Sequence, residues 1–350
     1  MLKYLSGVLG LDVGVDLGTA NIVVYVKNEG IVINEPSTVA VRKLPRGGGL
    51  EVIAVGREAK SMAGKTPAGV EAIWPLREGV IANFDMTEEL IRHCLRRAGG
   101  KSFMSHPRVV ISVPAEITEV ERKAVIDATL GAGASEAYVV EEPIAAALGV
   151  GLPINEPRGC MLVNIGGGTS EVSVISLGGV VVTSSLRTAG KDMDSAIIAM
   201  LRQRYALYIG ETTAEEVKNT IGSALPLPKE LEMAVKGRDL TDGLPKIDTV
   251  SSVEVREALD PIFLRIEDMV KVALEKTPPE LAKDIVDQGV VLSGGVAMMK
   301  GVAERLSKAI NTPVIVAESP LFAVALGLGK VLGNLGSMKR VLMSVERGAR

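Results

Sequence analysis

Two stretches of the chain carry residue types suited to phosphate chemistry. In residues 13–26, VGVDLGTANIVVYV, an apolar run reaches Asp16, turns through Gly18, Thr19, Ala20 and Asn21, and returns as a second apolar run. In residues 161–175, MLVNIGGGTSEVSVI, the order recurs, with Asn164 in place of the aspartate, then Gly166, Gly167, Gly168 and Thr169. Consecutive glycines let backbone N–H groups converge on one point and let a bulky anion approach. One such hairpin alone is an ordinary glycine turn. Two in one chain suggest two halves facing one polyphosphate.

The elements that must position these turns follow from pattern and composition. At 350 residues the chain suits two domains or a bilobed fold rather than one core. Apolar residues make up 47% but aromatics only 3%, so the core must be built from Val, Ile, Leu, Ala and Met, as in sheets flanked by helices. Interspersed charges, 39 basic and 42 acidic, give no basic patch, and no nucleic-acid partner is expected. Two cysteines, Cys94 and Cys160, and two histidines cannot build a zinc site or a disulfide framework, which suggests a cytosolic chain. No apolar run approaches the ~20 residues that span a bilayer, and the first residues do not read as a signal peptide.

Along the chain, residues 33–75 read as a small strand-rich block with a helix over 56–67. A helix starts at Asp85, with Glu88 at capping-box spacing, and a second starts at Thr118 with Glu121. Strands 109–113 and 137–140 lead into Glu141, Glu142 and an alanine-rich helix, a βαβα alternation that implies a mixed sheet. After the second glycine turn come a helix over 192–208, a helix capped by Thr213 with Glu216, and a strand-and-loop insertion over 223–250. A helix over 253–276, bent near Pro261, precedes the strand GVVLSGG, a helix from 298 and an apolar helix over 320–333. The basic tail after Gly336 is expected to be mobile.

The paired hairpins, EEPIAAALG and SGG before a helix look like the actin, Hsp70 and sugar-kinase ATPase fold. More narrowly, NEPS, GREAKSMAGKTP, REGVIANF, SVPAEITEVERKA, GGGTSEVSVISLGG and LEKTPPELAKDI resemble the MreB family of bacterial actin-like rod-shape proteins, across essentially the whole chain. The resemblance implies an α/β, actin-like (ribonuclease H-like) two-domain fold. Each domain would be a mixed sheet flanked by helices with a small inserted subdomain. The implied parts are 1–32, 76–148 and 317–350 (IA), 33–75 (IB), 149–182 and 249–316 (IIA), and 183–248 (IIB). It also implies ATP or ADP with Mg²⁺ in the cleft between the domains.

Carried over by residue, Asp16 and the turn Gly18, Thr19, Ala20 and Asn21 match the first phosphate loop. Gly166, Gly167, Gly168 and Thr169 match the second, Thr169 with a catalytic role as well. Glu142 matches the acidic residue that positions the attacking water. Glu215, Glu216 and Lys218 match the adenosine side. Gly294, Gly295, Val296 and Ala297 match the loop under the adenine. In this fold the aspartates of the two hairpins hold the hydrated cation, and here the second is Asn164, which brings no charge; nucleotide binding is expected to survive and hydrolysis to be slowed. Val296 replaces the usual third glycine and is expected to crowd the base. Asn83 replaces a usual aspartate.

Two oily features complete the reading. Residues 1–11 can be drawn as an amphipathic helix with Met1, Leu2, Leu5 and Leu9 on its apolar half, and Phe103 and Met104 sit side by side in a polar loop. In the resembled family such elements insert into the inner leaflet, and two weak anchors become strong through polymer avidity. The expected function is an ATP-binding cytoskeletal protein. It would polymerise into paired filaments on the inner face of the cytoplasmic membrane, organise wall synthesis and maintain rod shape, with RodZ, MreC and MreD as partners implied by resemblance. The rival is a filament-forming nucleotide-binding paralogue with weak or no hydrolysis. An Hsp70-like chaperone needs a peptide-binding domain, and a sugar kinase an aspartate base with a sugar pocket; neither is identifiable in these residues.

Overall fold

The computed structural model describes residues 11–44, 49–99, 106–336, 338 and 342–347. Of the segments expected to touch a membrane, residues 1–10 of the 1–11 segment and Phe103-Met104 lie outside the described residues, as does most of the turn at 46–49. Among the described residues no helix is long and apolar enough to cross a membrane. The chain divides into two compact units, one of residues 1–158, 175–180 and 321–350, the other of residues 159–174 and 181–320.

Unit 1 opens with an antiparallel meander, β1 (Asp12–Leu17), β2 (Asn21–Val26) and β3 (Gly30–Pro36). A small sheet follows: β4 (Val39–Lys43), β5 (Leu50–Val55), helix α1 (Arg57–Met62) and β6 (Val70–Ile73), with β4 central. The hairpin β7 (Leu76–Arg77) and β8 (Val80–Ile81) leads to α2 (Phe84–Gly99), β9 (Arg108–Val113), α3 (Glu119–Gly131), β10 (Glu136–Glu141) and α4 (Glu142–Gly149). In unit 2, β11 (Cys160–Ile165), β12 (Ser170–Ser176) and β13 (Gly179–Leu186) form a second meander, followed by α5 (Gly190–Tyr205), β14 (Leu207–Tyr208) and α6 (Glu211–Ile221). The hairpin β15 (Glu232–Asp239) and β16 (Pro245–Ser251) makes a small sheet with β14. Then come α7 (Ser252–Lys276), α8 (Pro279–Gln288), β17 (Val290–Ser293), α9 (Val302–Ile310) and β18 (Val314–Val316). Unit 1 resumes with α10 (Ala323–Gly333) and β19 (Leu342–Arg347).

The two large sheets repeat one topology. Unit 1 orders its strands β3-β2-β1-β9-β10-β19 and unit 2 orders them β13-β12-β11-β17-β18. In both, the first strand of the meander pairs in parallel with a strand that arrives after helical crossovers, β1 with β9 and β11 with β17. Alternation then assigns the faces. Val13, Val15 and Leu17 enter the core shared with α2 and α3, and Gly14 and Asp16 face the opposite side, where α10 packs. Likewise Met161, Val163 and Ile165 enter the unit 2 core, and Asn164 does not.

Several local expectations need correction. Helix α2 is capped by Asn83, whose side-chain oxygen accepts from the Met86 N–H at 3.2 Å while its carbonyl accepts from Thr87. The pattern at Asp85 and Glu88 is therefore not a cap; Glu88 instead pairs with Arg92, which also donates to the Gly131 carbonyl at 3.0 Å and so closes α3. Asn83 thus has the structural role the sequence left open. Helix α6 begins after Gly210, two residues before Thr213, so Thr213 lies inside the first turn. The Thr118–Glu121 capping box is present as expected. Part of the basic tail is the strand β19, antiparallel to β10, because the edge of β10 offers unpaired backbone groups.

Candidate functional site

The second glycine turn is held by the helix that follows its sheet. The Gly190 N–H donates to the Gly166 carbonyl at 3.1 Å and the Lys191 N–H to the Gly167 carbonyl at 2.8 Å, while the Gly166 N–H closes the turn on Thr169. These carbonyls therefore point at the first turn of α5. A trans peptide unit carries its N–H opposite its C=O. The N–H groups of Gly167 and Gly168 are thus turned away from α5, two successive donors on the side of the loop opposite the helix. The Asp192 carboxylate accepts from the Ala189 N–H at 2.8 Å and fixes the start of α5.

Gly190 is where the parts of unit 2 meet. A Cβ placed there would stand 3.2 Å from the Gly166 carbonyl oxygen and 3.5 Å from both Lys218 Nζ and Val296 Cγ2. The glycine turn, Lys218 and the 294–297 loop thus converge on Gly190, a residue not among the candidates read from the sequence. Lys218 is buried, donates to the Gly190 carbonyl at 2.9 Å and pairs with the buried Asp194 at 2.8 Å. Glu215, one turn earlier on α6, is half-buried, and Glu216 is exposed. Gly294 has φ of +88°, and a Cβ there would lie 2.3 Å from the Ile165 carbonyl oxygen, so a glycine is required by the end of β11 itself. Gly295 opens a short 3₁₀ turn through Met298, and the side chains of Val296 and Ala297 pack in the unit 2 core.

Unit 1 builds its loop by the same plan. Ser37, fully buried at the exit of β3, donates its hydroxyl to the Gly18 carbonyl at 2.6 Å and its N–H to the Ala20 carbonyl at 2.9 Å. The Thr19 N–H is thereby turned outward. The Thr19 hydroxyl accepts from the Gly79 N–H at 2.9 Å and ties the turn to the β7–β8 hairpin. Asn21 opens β2 opposite Pro36. Glu142 is half-buried in the first residue of α4, where the helix N-terminus favours a carboxylate. Its neighbour Glu141, at the end of β10, has its carboxyl pushed above the usual range by burial.

The polar residues ending the two first strands are matched in detail. Ser112 on β9 donates to the Asp16 carboxylate at 3.3 Å, and Ser293 on β17, in register with Asn164, donates to the Asn164 amide oxygen at 3.1 Å. Burial pushes the Asp16 carboxyl up to about 7, against a small lowering from Ser112. Among the described residues no group of three or more His, Cys, Asp or Glu could hold a metal ion. The Asp16 carboxylate taken by itself has the donor chemistry for a hydrated Mg²⁺, which keeps most of its waters and binds through few protein oxygens. The Asp16 shift has a measurable sign. A carboxyl whose folded pKa is raised stabilises the fold below about 4 and loses that contribution as pH rises toward 7. With chelator present, Asp16→Asn is expected to raise stability by about 4 kcal/mol at pH 8 and to change nothing at pH 3.5. Urea midpoints at both values check this.

The paired loops and the repeated sheets match known proteins over nearly the whole chain. The family model described as MreB/Mbl protein matches residues 10–340. The chain belongs to the MreB/Mbl family. It is 48% identical over 333 residues to the cell shape-determining protein MreB of Escherichia coli (strain K12), covering 95% of this chain and 96% of that one. To the cell shape-determining protein Mbl of Bacillus subtilis (strain 168) it is 43% identical, covering 95% and 99%. Among solved structures, MreB5 of Spiroplasma citri bound to ADP superimposes with a TM-score of 0.88 at 35% identity, covering 95% of this chain and 98% of that one. The same protein bound to AMPPNP gives 0.87, covering 93% and 97%. The fold is therefore actin-like, as the six quoted blocks and the paired hairpins implied.

Proposed function

We propose that this MreB/Mbl family chain is a nucleotide-dependent cytoskeletal protein. It binds ATP and ADP, assembles head to tail into paired filaments on the inner face of the cytoplasmic membrane, organises wall synthesis and so maintains rod shape. The observation that carries the reading is the outward turn of the Gly167 and Gly168 N–H groups, enforced by α5, with the same device at Thr19. Support comes from relatives whose names state a role in determining cell shape, and from a relative whose crystals hold ADP and AMPPNP.

In this reading the backbone donors of both turns bind the phosphates. Lys218 and Glu215 take the ribose side, the 294–297 backbone lies under the base, and Glu142 orients the attacking water with Thr169 beside the phosphates. Phosphoryl transfer to water needs this positioning and little covalent help. A hydrated Mg²⁺ would neutralise phosphate charge when bound, with Asp16 receiving its waters. Membrane contact through residues 1–11 and Phe103-Met104 belongs to the proposal, as do RodZ, MreC and MreD as partners. Electron microscopy of the purified chain with ATP and anionic lipid vesicles tests it: paired filaments on the vesicles are expected, and dispersed particles under all conditions would refute it.

A second reading, a filament protein with little or no hydrolysis, is favoured by Asn164. Its amide sits where the equivalent site in unit 1 places a carboxylate, and it adds no charge near a cation. Asn164→Asp is expected to raise phosphate release from filaments by about ten-fold, or about 1.4 kcal/mol of barrier. Equal rates would remove any role for the amide in slowing hydrolysis.

A further inference from the structure

Both passages of chain between the large and small sheets of unit 1 grip the 18–21 turn. The passage in, from β3 to β4, does so through the Ser37 hydroxyl on Gly18 and the Ser37 N–H on Ala20. The passage out, from β6 through Pro75 to the β7–β8 hairpin, does so through the Gly79 N–H on Thr19. Pro75 is itself pinned, its carbonyl accepting from the N–H groups of Ala82 and Asn83. The turn therefore cannot move without pulling on both strands that carry the small sheet. Glu35, two residues before Ser37, extends the linkage: its carboxylate accepts from the Arg57 N–H at 3.0 Å and from Arg97 at 2.9 Å, joining α1 and α2 to the same strand.

We propose that Ser37 is a positioning residue that aims the Thr19 N–H at a bound phosphate and couples phosphate occupancy to the small sheet β4–β5–β6. This rests on the nucleotide-binding reading above. No functional role for Ser37 follows from its place in NEPS; it follows from the two donors one buried residue supplies to two carbonyls of one turn. Its neighbour Thr38 provides the internal comparison. Thr38 is equally buried, and its hydroxyl has no hydrogen-bond partner among the described residues. Replacing either residue removes one buried hydroxyl, but of the two hydroxyls it is that of Ser37 that hydrogen-bonds the turn.

The test uses the full chain and three variants, Ser37→Ala, Ser37→Cys and Thr38→Val. Calorimetric titration with MgATP gives affinity, and amide hydrogen exchange at saturating MgATP gives protection of β4 and of the β7–β8 hairpin. Losing one hydrogen bond of ordinary strength predicts about ten-fold weaker binding in Ser37→Ala. At equal occupancy, the nucleotide-dependent slowing of exchange in β4 should also be lost in Ser37→Ala. Ser37→Cys, close in size with a weak donor, should fall between, and Thr38→Val should match the parent in both readouts. A Ser37→Ala or Ser37→Cys chain with parental affinity and parental protection overturns the coupling while leaving nucleotide binding intact. A parent chain that binds no ATP overturns both.

Discussion

Gly327→Val is expected to unfold unit 1 or to cost it about 4 kcal/mol or more, a large part of a typical 5–15 kcal/mol total. Helices α4 and α10 cross backbone against backbone. A Cβ on Gly327 would fall 1.7 Å from the Ala145 carbonyl oxygen, and one on Gly149 would fall 1.8 Å from the Ala323 carbonyl oxygen. No side-chain rearrangement relieves a clash with main chain, so the helices must part by more than about 1 Å in a core packed to crystal density. The displacement would lift Leu328 from Gly14 and disturb the contact of Gly329 with the Tyr25 ring. Because α4 begins at Glu142, the crossing also positions the water-orienting carboxylate of the proposed mechanism. Gly333→Ala, at the end of the same helix with nothing within 4 Å of its Cβ, is the control and should be neutral or slightly stabilising. Urea denaturation followed by circular dichroism checks both. A parental midpoint for Gly327→Val would contradict the close crossing.

Gly190→Val is expected to leave the chain folded and to weaken ATP binding about 100-fold, or about 3 kcal/mol. An alanine Cβ needs only a few tenths of an ångström from the Gly166 carbonyl, so Gly190→Ala should lose ten-fold or less. The branched methyls of valine reach further toward the Gly166 carbonyl, Lys218 and Val296, and must push the glycine turn off α5. Once the Gly190 and Lys191 N–H groups lose the Gly166 and Gly167 carbonyls, the turn's own donors are no longer aimed. Affinity measured by titration, beside a thermal midpoint for each variant, separates loss of aim from loss of fold. Parental affinity in Gly190→Val would show that the turn does not depend on the helix.

The two glycine turns, the hairpins they close and the Thr118–Glu121 cap were legible in sequence because each is written within about fifteen consecutive residues. The residues that aim the turns were not. Ser37 acts on Gly18 across 19 positions, Ser112 on Asp16 across 96, and Ser293 on Asn164 across 129. Nothing local marks such a serine, since its partner is chosen by strand register. Gly190 was missed for the same reason: its neighbours come from the glycine turn after β11, from α6 and from the 294–297 loop. Local spacing also misled. Asp85 with Glu88, and Thr213 with Glu216, have cap spacing inside helices that start earlier, because Asn83 and Gly210 precede them. The strand at 342–347 was read as a mobile tail because its partner, β10, lies some two hundred positions away.

The most direct test of the account is calorimetric titration of the nucleotide-free full chain with MgATP, beside Gly190→Val. The account predicts saturable binding of a single ATP per chain, with ADP competing for the same site, and binding about 100-fold weaker in the variant. Absence of saturable binding up to millimolar MgATP, or equal affinity in the two chains, would contradict it.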